Sequence, residues 1–120
     1  MGGLIRQAVT VPSGTTNVNI LAGEIFEFLA RPSTVRVILS QQIVLLSALA
    51  VDVNVGNVIV TQALTPNIAV APGVVDQDRD RLPAAVGAAG DRVQIRVRET
   101  SSLAGADGIL NFIVEITDIA

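Results

Sequence analysis

The sequence predicts an all-β protein, a single antiparallel β-sandwich of about eight short strands spanning residues 1–120. Three observations predict it. Valine and isoleucine make up a quarter of the 120 residues, and β-branched side chains at that density favour extended chain. Apolar and polar residues alternate with period two in several stretches, "DRVQIRVRE" at 91–99 being the clearest. Ten glycines and five prolines break the chain at short intervals, as turns between strands do.

Each element follows in order. "QAVTV" opens as a strand that Pro12, Ser13 and Gly14 turn back. "NVNILA" at 17–22 reads as a second strand stopped by Gly23. "EIFEFLARP" puts Phe26 and Phe28 on one face, as core, and Glu27 on the other; Pro32 then holds Arg31 extended. Over 34–40, Val35, Val37 and Leu39 share a face, opposite Thr34, Arg36, Ile38 and Ser40. Residues 41–50 have no clean period and suit a buried strand or a short helix. Val51, Val53 and Val55 resume the alternation, and Gly56 and Asn57 turn the chain into a return strand from Val58. "IAVAPG" is a short strand ending at Pro72 and Gly73, after which 73–90 is a long irregular loop, the kind that is functional or mobile. "ILNFIVEIT" closes the chain with Leu110, Phe112, Val114 and Ile116 on one face, beside either 91–99 or 34–40. Eight such strands make two packed sheets or a small barrel.

Composition removes whole classes of chemistry. The chain has no Cys, His, Lys, Trp or Tyr. Ser–His and Cys–His pairs, a Schiff-base lysine, a P-loop lysine and a Cys/His zinc site therefore cannot be built. No cofactor is expected, and no enzyme; an enzyme using Asp and Arg alone is the residual alternative. Carboxylate pairs such as Glu24 with Glu27, or Glu99 with Glu115 as neighbours across a sheet, read as solvated surface groups. No secretory signal is expected, and the most apolar window, "IVLLSALAV", is too short to span a membrane, which takes about 20 residues.

All eight basic residues are arginine, and the net charge is −3. That balance argues against general nucleic-acid binding. Arginine suits contacts between protein surfaces, although base composition of the gene explains the choice equally well. Arg92, Arg96 and Arg98 share the polar side of 91–99, and Arg36 lies on the polar side of 34–40. If those strands are neighbours, the four form one basic patch. It would meet water, a second copy of the chain, or nucleic acid.

"DQDRDR" sets Asp76, Asp78 and Asp80 at alternate positions, like the first ligands of a calcium loop. The pattern then fails: Arg81 stands where the turn glycine belongs and Gly87 where the last glutamate belongs. With Arg79 and Arg81 interleaved, the run reads as paired charges facing water or a subunit contact, or as a calcium site completed by a neighbouring subunit. Ile38, Ile59 and Ile113 fall on the faces opposite their strands' main apolar stripes. Both faces of at least one sheet should therefore be covered, by another element or another subunit.

"VTVPSGTTNVNILAGEIFEFL", followed by "RPSTVRV", resembles the start of small all-β structural proteins of bacterial viruses. The resemblance implies a coat or decoration subunit with a jelly-roll or related sandwich, located in the virion, whose partners are copies of itself or another virion protein. The basic N-terminal arm of many coat proteins has no counterpart, since the first ten residues hold only Arg6. The expected function is thus a structural subunit that self-associates into a shell or particle. Its contact residues would be Arg36, Asp76, Asp78, Arg79, Asp80, Arg81, Arg92, Arg96 and Arg98. The alternative is a non-catalytic carbohydrate- or protein-binding module with its site in the loop at 76–90, which the lack of Trp and Tyr disfavours.

Overall fold

The computed structural model describes residues 3–24, 27–43, 48–69, 75–76, 79–101 and 107–119. Among them run nine strands: β1 (Gly3–Val11), β2 (Val18–Asn19), β3 (Ser33–Ile43), β4 (Leu49–Val55), β5 (Val58–Leu64), β6 (Asn67–Ile68), β7 (Ala85–Gly87), β8 (Val93–Glu99) and β9 (Gly108–Asp118). They form two sheets. The first has the order β1-β9-β3-β6, with β7 also paired to β3; the second has the order β2-β8-β4-β5. No helix among the described residues is long and apolar enough to cross a membrane.

The pairing is nested. The β4–β5 hairpin is innermost, β3–β7 and β2–β8 enclose it, and β1–β9 lies outermost, every pair antiparallel. The pairs β3–β9 and β4–β8, also antiparallel, then join these ribbons side by side into the two sheets. One exception to the expected antiparallel order is β6, two residues that run parallel to Ser40 and Gln41 of β3.

Alternation places the core. Val51, Val53 and Val55 of β4 and Val93, Ile95 and Val97 of β8 point inward from the second sheet; Val35, Val37 and Leu39 of β3 and Leu110, Phe112 and Val114 of β9 meet them from the first. The β4–β5 turn falls at Gly56 and Asn57, as the sequence predicts. Gly56 has φ +56°, the left-handed conformation that a two-residue hairpin turn opening with glycine requires. The closing strand β9 lies beside β3, the second of its two expected neighbours, and β1 flanks its other side.

Three expectations are corrected and one open reading is narrowed. The strand over 17–22 shrinks to Val18–Asn19, because Asn19 Oδ1 accepts the Leu21 N–H and its carbonyl accepts the Ala22 N–H, which turns the chain. Glu24 and the residues from Glu27 to Arg31 do not form a strand: Glu24 N–H bonds to Leu21 and Glu27 N–H to Glu24 as turns, and Phe28 makes one isolated bridge to Arg92. Phe28 is consequently 56% exposed rather than core, while Phe26 lies outside the described residues. The loop expected over 73–90 contains β7, and Asp80 and Leu82 extend that pairing along Leu39 and Val37 of β3. Within 41–50, β3 runs to Ile43 and β4 starts at Leu49; residues 44–47 lie outside the described residues.

The outward isoleucines divide. Ile38 and Ile113 are 1% and 2% exposed although they face away from the core, so the chain itself covers that side of the first sheet. Val75 lines a cleft with Ala8 and Asn111. Ile59, on the second sheet, is 63% exposed.

Candidate interaction surface

The inward row of β8 sends Gln94, Arg96 and Arg98 to the outer face of the second sheet, and Arg92 precedes them. The three arginines differ in how they are held. Arg92 donates Nη2–H and Nε–H to Glu27 Oε2 at 2.7 and 2.8 Å, and its guanidinium lies 5.8 Å from the centre of the Phe28 ring. Glu27 also accepts the Gly23 N–H at 2.9 Å. That backbone bond and the Arg92 guanidinium hold its carboxyl below the usual range. Arg98 donates to Asp52 Oδ2 at 3.0 Å, and Asp52 Oδ1 accepts the Ala63 N–H at 2.6 Å. Arg96 sits directly across from Asp52 on the neighbouring strand, yet Asp52 turns to Arg98, and Arg96 makes no ion pair among the described residues.

Arg36 does not join them. It sits on β3, in register with Glu115 of β9, so it belongs to the first sheet, whereas Arg92, Arg96 and Arg98 belong to the outer side of the second. The four-arginine patch therefore does not form. Arg36 is half-buried, and its Nε has no hydrogen-bond partner.

The acidic run works inside the chain. Asp80 is 4% exposed and accepts Arg79 Nε–H at 2.7 Å on Oδ1 and Arg79 Nη2–H at 3.2 Å on Oδ2. The same carboxylate accepts the Asp76 N–H at 2.8 Å and the Asn67 amide at 3.1 Å. Arg79 reaches on to the Ile68 carbonyl at 3.0 Å. Burial pushes the Asp80 carboxyl up, but the bonds from Arg79, Asp76 and Asn67 outweigh it and keep it below the usual range. Asp80 and Arg79 thus latch the crossing after β6 to the edge of β3, and Arg81 bridges Ile38 beside them. Asp78 lies outside the described residues. No group of three acidic side chains positioned to hold a metal ion occurs among the described residues.

Sequence reading missed one strong polar site. Glu99 is 3% exposed. Its carboxylate accepts the hydroxyl and N–H of Ser101, the Gly14 N–H at 3.0 Å and the Ala48 N–H at 3.1 Å. These bonds, with that of Ser101 foremost, lower its carboxyl to about 2. The signal was present: Glu99 continues the inward row of Val93, Ile95 and Val97. It is not a cross-strand neighbour of Glu115, because β8 and β9 lie in different sheets.

Among the described residues, two clefts border β1. One of about 270 Å³ is lined by Arg6, Gln7, Ala8, Val75, Asn111 and Phe112. The other, of about 260 Å³ and more apolar, follows the seam between the sheets at Val9, Val11, Pro12, Val18, Ile20 and Val97.

The chain matches no protein-family model, no curated protein and no solved structure.

Proposed function

We propose that the chain is a structural subunit that self-associates into a shell or particle, in the manner of a coat or decoration protein of a bacterial virion, with no catalytic step. The observation that carries this reading is the nested pairing of β1–β9, β2–β8, β3–β7 and β4–β5, distributed over two sheets in the orders β1-β9-β3 and β2-β8-β4-β5. We read this as the strand order of a jelly roll, a ribbon of hairpins rolled across its own middle, with β6 as a two-residue addition. Jelly rolls serve viral shells, lectins and cupins. Fold alone does not choose among them, so the choice rests on side chains. A cupin-type metal site draws on histidine and a sugar site on Trp or Tyr, and the sequence has none of the three. A shell subunit needs neither.

On this reading, Arg96 with the exposed Val58 and Ile59 on the second sheet offers contact area to neighbouring subunits. Asp76, Arg79, Asp80 and Arg81 act indirectly, by fixing the edge of β3. Light scattering after size exclusion, with negative-stain microscopy of the same fractions, tests the reading. Species many times the 12.5 kDa subunit are expected, unchanged by chelator. A monodisperse 12.5 kDa monomer at the highest soluble concentration overturns it. Nuclease-sensitive absorbance in the particles would add nucleic acid to the partners.

A further inference from the structure

Among the described residues the sheets have four edges, and three are blunted. β2 and β6 are two residues long. β7 is three residues long and starts two residues after Pro83, beyond the Asp80–Leu82 pairing. β5 is interrupted by register shifts against β4, with Ala63 at φ +52°. Short strands, prolines and bulges are the usual devices that stop sheets from adding strands. β1 has none of them. It runs nine residues, pairs with β9 without a break from Gly3 to Val11, and has no strand on its other side among the described residues. Leu4, Arg6, Gln7, Ala8 and Thr10 along it are exposed, and Arg6 is its only charge.

We propose that β1 pairs with β1 of a second copy, antiparallel across a two-fold axis, joining the first sheets of two subunits. This rests on the self-association proposed above and names one of its contacts. Outward-facing backbone hydrogen bonds recur at every second residue, so paired residue numbers across the axis must sum to an even value. Full overlap of Gly3–Val11 with itself satisfies this. It sets Leu4 across from Thr10, Ile5 from Val9, Arg6 from Ala8, and Gln7 from Gln7 on the axis. Charge favours this register: Arg6 meets a small neutral side chain, and the Gln7 amides offer each other a donor and an acceptor. A step one way puts Arg6 on the axis against its own copy, which repels, and a step the other way puts Ala8 there and leaves Gly3 and Leu4 unpaired. The contact is isologous and about 30 Å long.

The chain has no cysteine, so a single introduced one reports the register. Under diamide, which takes up the two thiol hydrogens, Gln7→Cys is expected to form a covalent dimer, since facing Cα atoms across an antiparallel pair lie within disulfide reach. Thr10→Cys is expected not to, because the two copies of position 10 stand about 20 Å apart. Ala8→Lys, facing Arg6 of the second copy, should weaken the dimer roughly tenfold by sedimentation, while Ala8→Glu should tighten it. Equal cross-linking at positions 7 and 10, or association indifferent to both Ala8 variants, overturns the β1 contact. If particles still form in that case, self-association stands through another surface. A wild-type chain that stays monomeric overturns both. Circular dichroism of each variant identifies any that fail to fold, and the cross-linking pair does not depend on the Ala8 variants.

Discussion

The Glu99 carboxylate accepts the backbone N–H of Gly14 at 3.0 Å, eighty-five residues away in the chain. Through Ala48 and Ser101 it also holds the entry to β4 and the exit of β8. One buried anion thus ties three connections together at one end of the sandwich.

That carboxyl titrates near 2 in the folded chain and near 4.3 when unfolded. A depressed folded value stabilises the ionised fold, so the contribution is complete above the unfolded value and is lost as pH falls toward the folded one. Glu27 and Asp80, both lowered, add loss in the same direction. Urea midpoints should be level from pH 7 to 5 and fall between about pH 4.5 and 2. Glu99→Gln should flatten part of that fall and lower the midpoint at pH 7; an unchanged profile would remove Glu99 from the account.

Asp80→Asn keeps the shape of the latch and removes its charge. Arg79, the Asp76 N–H and the Asn67 amide would then share a weaker acceptor in a nearly closed site. Arg79 is partly exposed, so water offsets some of the loss. A destabilisation of about 1–3 kcal/mol is expected from urea unfolding at pH 7, and it should shrink as pH falls toward the lowered folded value of the wild-type carboxyl.

Phe112 and Phe28 should separate cleanly. Phe112 is fully buried between the sheets, and Phe112→Ala should cost about 3–5 kcal/mol. Phe28 is largely exposed with Arg92 over its ring, and Phe28→Ala should cost about 1 kcal/mol or less. Equal losses would mean that the turn before β3 packs differently.

Gly56→Ala meets two obstacles. The backbone there has φ +56°, and an added Cβ would stand 2.7 Å from the Asp91 carboxyl carbon. Asp91 is held by the Ala88 N–H at 2.8 Å, so it cannot swing away freely. A loss of about 1–3 kcal/mol is expected by thermal or chemical unfolding.

Period-two alternation made β4, β8 and β9 legible, because each buries one face against the other sheet and nothing local competes. It failed at Asn19 and at Glu27, whose side chains bond the nearby backbone at Leu21 and Gly23 and bend it into turns. Arg92, Arg96 and Arg98 were correctly placed on one face. Whether Arg36 joined them depended on which strands are neighbours, a long-range matter that no spacing encodes. The closure around Asp80 was also hidden, because its partner Asn67 lies thirteen residues upstream across a segment with no period.

Nested pairing also orders the route to the fold. Val55 and Val58 meet across a two-residue turn, whereas Gly3 must find Ile116 at the far end of the sequence. Closing larger loops is slower, so the fold should zip outward from Gly56, and amide protection in pulse-labelled refolding should come last in β1. Until β9 has been synthesised, a chain on the ribosome carries β1 with both margins bare, exposed to chaperones or to premature pairing with its neighbours on the same message.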